Sequence, residues 1–269
     1  MTRCGFVALA GRPNAGKSTL VNGIVADKVA ITSDKPQTTR REVRGIASTG
    51  DWQLVLVDLP GVQRPRDVLT ERMQRRVQRA LADADAALFL LNGEQAVGHG
   101  DRFIAAAIAR AGVPVVTAVN KVDRLDRART AQALAAAGGL ELPGEVFPIS
   151  ARTGEGVPEL VEHLVSLLPE GPFLYPPEER TDLPEEVRLA ELVREQVLAR
   201  TRQEVPHSVE VQVEEVDDRG DLLAVTAAIW VETESQKGIL IGAQGKMIKA
   251  IGTAARREIE RSRGERMHL

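Results

Sequence analysis

A chain of 269 residues, 43% of them hydrophobic, can bury one large core or two smaller ones. Its longest apolar runs, such as residues 86–91, are far too short to span a bilayer, and Cys4, the only cysteine, excludes an intrachain disulfide. The net charge of −3 selects no class of partner by itself. The few residues before the first apolar run are expected to leave no room for a signal peptide, and the lone cysteine fits a cytosolic setting, with Cys4 as a small core filler.

Residues 6–10 read as a buried strand and residues 19–25 as the first turns of a helix. Between them stands Gly11-Arg12-Pro13-Asn14-Ala15-Gly16-Lys17-Ser18. Strand, glycine-rich turn and helix N-terminus together make a phosphate site: backbone N–H groups line a concavity and the helix dipole adds positive charge at its mouth. Lys17 is expected to reach the β- and γ-phosphates, and the Ser18 hydroxyl to bind Mg²⁺.

Apolar runs and helical patterns alternate as far as residue 168. Strands are predicted at 6–10, 43–48, 52–58, 86–91, 113–119 and 146–149, and helices at 68–82, 101–111, 127–137 and 158–168, with Pro158 suited to a first helical position. Near-continuous apolar strands with crossover helices imply an α/β fold, a mostly parallel sheet covered on both faces. Ligands bind beyond the carboxyl ends of such strands. At the end of the third strand lies Asp58-Leu59-Pro60-Gly61, where a carboxylate can support Mg²⁺ and the Gly61 N–H can meet a γ-phosphate. At the end of the fifth lies Asn120-Lys121-Val122-Asp123. Guanine presents donors at N1 and N2, which one carboxylate accepts together; adenine would set a lone pair against Asp123. Asn120 is expected to brace the loop and touch the N7 region, the Lys121 stem to cover the ring, and Ser150-Ala151 to offer a backbone N–H to guanine O6. Arg72, Arg75, Arg76 and Arg79 on the 68–82 helix read as a solvated face.

Residues 169–184 hold five prolines and read as an extended linker. A helix is predicted at 185–203, a hairpin at 207–216 and 222–231, a short helix at 235–241, the loop Gly242-Ala243-Gln244-Gly245, and a helix at 246–261; Arg266 could begin a third strand. That element order is the order of a type II KH module, whose glycines admit phosphates to a helix N-terminus. Residues 185–235 carry thirteen acidic and five basic side chains, and residues 236–269 carry eight basic and three acidic ones. The basic end is thus the one holding Gly242, Ala243, Gln244, Gly245, Lys246 and Lys249, the candidate RNA-binding residues. Trp52 and Trp230 read as packing residues, and His99, His163, His207 and His268 lack metal-ligand spacing.

The motifs occur in the order used by the translation-factor class of small GTPases, the TrmE/Era/EngA-like group. Lys35-Pro36-Gln37-Thr38-Thr39-Arg40 in the switch I slot resembles the QTTR segment of the Era family of ribosome-assembly GTPases, and residues 235–242 and 248–256 resemble that family closely. The resemblance implies a P-loop GTPase domain over 1–168, a linker over 169–184 and a KH domain over 185–269. It implies GTP and GDP as ligands, with Gly11 through Ser18, Asp58 through Val62, Asn120 through Asp123, Ser150 and Ala151 in the nucleotide site. Ser18, Thr39 and Asp58 would bind Mg²⁺, with Thr38 as the alternative to Thr39. Lys17, Thr39, Gly61 and Asn14 would serve catalysis. Val62 stands where Ras-like enzymes place a water-orienting glutamine, so slow basal turnover is expected. Asn14 has two readings, a K⁺ ligand beside the phosphates or a cap on the turn. Implied partners are 16S ribosomal RNA and the 30S subunit, for a monomer in the cytoplasm with peripheral association at the membrane face; a partner protein or membrane surface in place of RNA is the alternative. Two departures stand out. The family's GKGG loop is here Gly242-Ala243-Gln244-Gly245, and family members continue through a complete final strand and a basic tail, so the KH sheet is expected to lack much of its edge.

Overall fold

The computed structural model describes residues 2–35, 38–61, 68–201, 209–218, 220 and 222–269. The chain forms two compact units. One contains residues up to Ala30 together with Thr39–Asp182; the other contains Ile31–Thr38 together with Leu183–Leu269.

In the first unit the elements run β1 (Arg3–Gly11), α1 (Lys17–Val25), β2 (Val43–Ser48), β3 (Trp52–Asp58), α2 (Val68–Ala82), β4 (Ala86–Asn92), α3 (His99–Ala109), β5 (Val115–Asn120), α4 (Arg127–Gly138), β6 (Val146–Pro148) and α5 (Val157–Leu167). The sheet order is β2-β3-β1-β4-β5-β6, parallel throughout except for β2, which runs antiparallel to β3. Alternation sorts the side chains between two cores. Val7 and Leu9 of β1, with Leu88 and Leu90 of β4, join Leu20, Leu160 and Leu164 on one face. Ala8, Ala10, Phe89 and Leu91 join Val77, Leu81, Ile104 and Ile108 on the other. Strands buried on both faces explain the near-continuous apolar runs.

The proline-rich stretch bends at residues 174–175, turns at 177–178 and is pinned to the sheet. Gln53, fully buried on β3, donates through Nε2 to the Tyr175 carbonyl at 2.8 Å and accepts from the Leu174 and Tyr175 N–H groups at 2.9 and 3.0 Å. Ile46 N–H donates to the Arg180 carbonyl at 2.8 Å. These bonds satisfy a buried carboxamide and the edge of β2, and they place residues through Asp182 with the first unit.

The second unit contains α6 (Glu185–Arg200), β7 (Glu210–Asp218), β8 (Leu223–Trp230), α7 (Glu234–Ile241), α8 (Lys246–Arg263) and β9 (Met267–His268). Its sheet order is β7-β8-β9, with β7 antiparallel to β8 and β9 parallel to it. The strand anticipated at Arg266 therefore forms, as a two-residue edge pairing Leu223 with Met267 and Ala224 with His268. Helix α6 ends sooner than its apolar pattern suggests, because Thr201 turns to extended backbone and its hydroxyl donates to the Val197 carbonyl at 2.8 Å. Leu189, Leu192, Val193, Val197 and Leu198 of α6 and Ile251, Ala255 and Ile259 of α8 build the core against the sheet. A Thr233/Gln236 capping box starts α7.

One packing expectation fails. Trp52 packs partly buried against the first core, but Trp230 is 59% exposed. Ile229 takes the inward position beside Leu240 and Met247, and strand alternation turns its neighbour outward.

Candidate functional site

The turn from β1 into α1 is shaped by backbone conformations that few residues tolerate. Gly16 sits at φ 100°, and a Cβ there would stand 2.2 Å from Asn120 Nδ2. Asn14 adopts the left-handed region at φ 62°, where asparagine is among the better tolerated residues. Gly61 packs against Pro13, whose ring and nitrogen would lie 2.8 Å from an added Cβ. Arg12 pairs with Asp101 at 3.3 Å, and the same Asp101 oxygen accepts the Gly98 N–H at 2.9 Å, so one carboxylate anchors the turn and caps α3.

Lys17 is buried, and its Nζ donates to the Gly11 and Arg12 carbonyls at 3.2 and 3.3 Å. Burial pulls its pKa below the ordinary lysine value, opposed by the charge of Asp58. Asp58 is fully buried at the end of β3, and burial pushes its carboxyl upward, opposed by Lys17 and by hydrogen bonds from Ser18 and Thr39. Ser18 Oγ donates to Asp58 Oδ2 at 2.6 Å; Thr39 Oγ1 lies 3.2 Å from Ser18 Oγ and 3.5 Å from the same carboxylate oxygen. The three expected metal ligands thus meet, drawn from the turn, the switch I slot and a strand end. Asp58 Oδ1 is buried with no hydrogen-bond partner among the described residues. Such an orphan costs about 1–3 kcal/mol, and a hard divalent cation with oxygen ligands satisfies it. The donor set fits Mg²⁺.

At the end of β5 the side chains of Asn120, Lys121 and Asp123 all have defined partners. Asn120 braces the loops: Nδ2 donates one N–H to the Ala15 carbonyl at 2.8 Å, and Oδ1 accepts from the Lys121 and Ala151 N–H groups at 2.8 and 2.9 Å. It ties three loops together. Both amides of Ser150-Ala151 already have partners, since the Ser150 N–H donates to the Glu155 carbonyl at 2.9 Å. Asp123 accepts from Ser150 Oγ at 2.7 Å through Oδ1 and pairs with Arg152 through Oδ2. The Ser150 bond and then Arg152 hold its carboxyl below the ordinary aspartate range. Lys121 takes the left-handed region at φ 71°, and its Nζ pairs with Glu94 at 3.1 Å.

In the second unit, Gly242 (φ 70°), Gln244 (φ 54°) and Gly245 (φ 74°) make a tight turn between α7 and α8. A Cβ at Gly242 would stand 2.7 Å from the Met247 Cβ, so the first glycine is demanded by packing as well as by dihedral. The loop hands over to α8 at Lys246, and Lys246 and Lys249 are exposed. Both line a groove of about 580 Å³ with Arg200, Arg257 and Arg261. Ile239, Ile241 and Ile248 on the flanking helices are exposed, as is Trp230.

These two sites are matched by known proteins over almost the whole chain. Residues 6–121 fit the model of the 50S ribosome-binding GTPases, and residues 204–269 fit that of the KH domain. GTPase Era of Mycolicibacterium smegmatis is 46% identical over 274 residues, covering 99% of this chain and 91% of that protein. The chain belongs to the Era family of GTPases. GTPase Era of Mycobacterium tuberculosis is 44% identical over 98% of this chain and 91% of that protein. A crystal structure of Era in complex with MgGDPNP and nucleotides 1506–1542 of 16S ribosomal RNA superposes with TM-score 0.93 at 35% identity, covering 100% of this chain and 92% of that one. A singly substituted Aquifex aeolicus Era bound to GDP·AlF4⁻ also superposes at 0.93, with 34% identity and the same coverage of both chains.

In this Era-family GTPase several parts of the site carry no sequence signal. Asn22 of α1 pins the chain leaving the helix, donating to the Ala30 carbonyl at 2.7 Å and accepting from the Val29 and Ala30 N–H groups at 3.1 and 2.9 Å. Asp101, Glu94 and Arg152 lie far in sequence from the residues they hold. Pro36 and Gln37 of switch I, and Val62 and Gln63 after Asp58-Leu59-Pro60-Gly61, lie outside the described residues.

Proposed function

We propose that this chain is a GTP-hydrolysing switch that binds small-subunit 16S ribosomal RNA through its KH unit and assists assembly of the 30S subunit. The observation that carries the switch reading is the meeting of Ser18, Thr39 and Asp58 around one buried carboxylate, with Asp58 Oδ1 left for a cation. Ser18 and Thr39 would hold Mg²⁺ with Asp58 behind them, and the ion would neutralise charge on the β- and γ-phosphates. Lys17 would turn from the Gly11 and Arg12 carbonyls to those phosphates, while the backbone of Gly11 through Ser18 cradles them. Gly61 would offer its N–H to the γ-phosphate. Thr39 would be held while the γ-phosphate is present and released on hydrolysis.

Asp123 would accept guanine N1–H and N2–H, with Arg152 giving up its carboxylate oxygen to the base. Ser150 would keep the carboxylate oriented, and Ala151 would share its N–H between Asn120 and guanine O6. Asn14, in the left-handed region, would either place K⁺ beside the phosphates or serve the turn alone.

RNA binding is supported by the 16S RNA bound to the Era of the matched structure and by the Gly242–Gly245 turn beside a cationic groove. Two measurements test the reading together: calorimetric affinities for GTP against ATP, and binding of a 16S 3′-end RNA oligomer at rising salt. Tight GTP, weak ATP and a steep salt slope are expected. Equal affinity for both nucleotides removes the base-selection argument, and salt-independent or absent RNA binding leaves a switch with another partner.

A further inference from the structure

The deepest charges of the second unit lie on α6, and neither is spent on that unit's own sheet or helices alone. Arg194 is 1% exposed and is the largest fully buried side chain among the described residues; Glu195 is 6% exposed. Arg194 donates to Glu191 at 2.6 and 3.0 Å and, through Nη2, to the Thr38 carbonyl at 2.5 Å. Its Nη1 is buried with no hydrogen-bond partner among the described residues. Glu195 Oε1 accepts from the Thr32 N–H at 2.8 Å and the Thr32 hydroxyl at 3.2 Å.

These partners are the two ends of Ile31–Thr38, the eight residues that pack with the second unit. Ile31 enters the same core as Val197 and Leu198. Among the described residues of the segment the Thr38 hydroxyl donates to the Lys35 carbonyl at 2.7 Å, and the Lys35 N–H donates to Ser33 Oγ at 3.1 Å. One peptide bond later comes Thr39, beside Ser18 and Asp58. Both α6 side chains grip main-chain atoms of the segment, and Glu195 holds the Thr32 hydroxyl as well.

We infer that Arg194 and Glu195 are positioning residues for the γ-phosphate end of the nucleotide site, acting through Ile31–Thr38 on Thr39. The inference rests on the reading of Thr39 as a ligand made only when a third phosphate and Mg²⁺ are bound. Lys17, Asp123 and the Gly11–Ser18 backbone serve GDP and GTP alike, so loss of the α6 grip should weaken one nucleotide and spare the other. Linkage makes the effect reciprocal: whatever seats Thr39 on Asp58 also seats the segment on α6.

The test uses the full chain, a fluorescent GDP and a fluorescent non-hydrolysable GTP analogue, each titrated at several Mg²⁺ concentrations. Arg194→Met and Glu195→Ala should weaken the GTP analogue about tenfold, as loss of a charge-assisted hydrogen bond does, and raise the Mg²⁺ needed, with GDP affinity within about twofold of the parent. Arg194→Lys, which keeps a donor, and Glu195→Gln, which keeps an acceptor, should recover most of the loss. Thr39→Ala serves as the reference. If it loses the preference for the GTP analogue while Arg194→Met and Glu195→Ala keep it, the inference is overturned alone. If Thr39→Ala keeps the preference, the reading of Thr39 falls and takes the inference with it. Equal weakening of both nucleotides marks a merely structural role and also overturns it. Should Arg194→Met not fold, Glu195→Ala and Thr32→Val carry the same comparison.

Discussion

Asn120 and Gly16 are fitted to each other: the Asn120 carboxamide nitrogen occupies the place a side chain at position 16 would take. The loop proposed to face the base and the turn proposed to face the phosphates are therefore joined, closed by the Asn120 bond to the Ala15 carbonyl at 2.8 Å. Gly16→Ala meets both a φ of 100° and a clash at 2.2 Å. It should lower GTP and GDP affinity together by about a hundredfold or more, since strain and clash each cost about 1–3 kcal/mol. Calorimetry on the folded variant checks this.

Asp123→Asn replaces one acceptor by a donor where, on the proposed reading, guanine presents N1–H and N2–H. GTP affinity should fall by about 10²- to 10⁴-fold, and a purine with a carbonyl at C2 should gain, in a competition assay with xanthosine triphosphate.

The Asp123 carboxyl is held low chiefly by Ser150, then by Arg152. A carboxyl depressed by folding adds stability that is fully present above its unfolded pKa, about 4, and is lost as pH falls through the depressed folded value. Ser150→Ala should therefore destabilise the chain at neutral pH, and the difference from the parent should vanish in acid. The acid limb of GTP affinity should move to higher pH in the same variant. A pH series of thermal melts and of nucleotide titrations reads both.

For RNA the two kinds of contact separate by salt. Lys246→Ala and Lys249→Ala should each weaken binding of a 16S 3′-end oligomer and flatten the dependence of log K on log salt by about one ion. Trp230→Ala should lower affinity by about 1–3 kcal/mol, the scale of one lost base stack, and leave the slope unchanged. Filter binding at several KCl concentrations distinguishes them.

If Asn14 places K⁺ beside the phosphates, exchanging K⁺ for Na⁺ should slow phosphate release severalfold and Asn14→Ala should abolish that sensitivity. An unchanged rate assigns Asn14 to the turn alone.

Lys17, Asp58 and Asp123 are legible in the sequence because a strand end followed by a tight turn packs its chemistry into a few consecutive residues. The sheet is legible because strands buried on two faces leave unbroken apolar runs. Arg194 and Glu195 are not: on a helix of mixed charge they look like solvated residues, and what they hold is main chain, which has no sequence signature. Trp230 misleads because an aromatic at a strand end reads as core unless its neighbour, here Ile229, is known to face inward. Asn120 stands out in the sequence, but the partners it braces do not: only the structure reveals that its carboxamide bonds the Ala15 carbonyl and the Ala151 amide.

The loan of Ile31–Thr38 to the second unit bears on how this protein can be dissected. A fragment ending ahead of Leu183 would retain every group proposed to meet the nucleotide yet strand Ile31 in water and leave the Thr38 carbonyl and Thr32 amide without their holders. Such a fragment should bind GDP well and be nicked by protease between Ala30 and Thr39, so kinetics measured on an excised N-terminal half would describe a different enzyme.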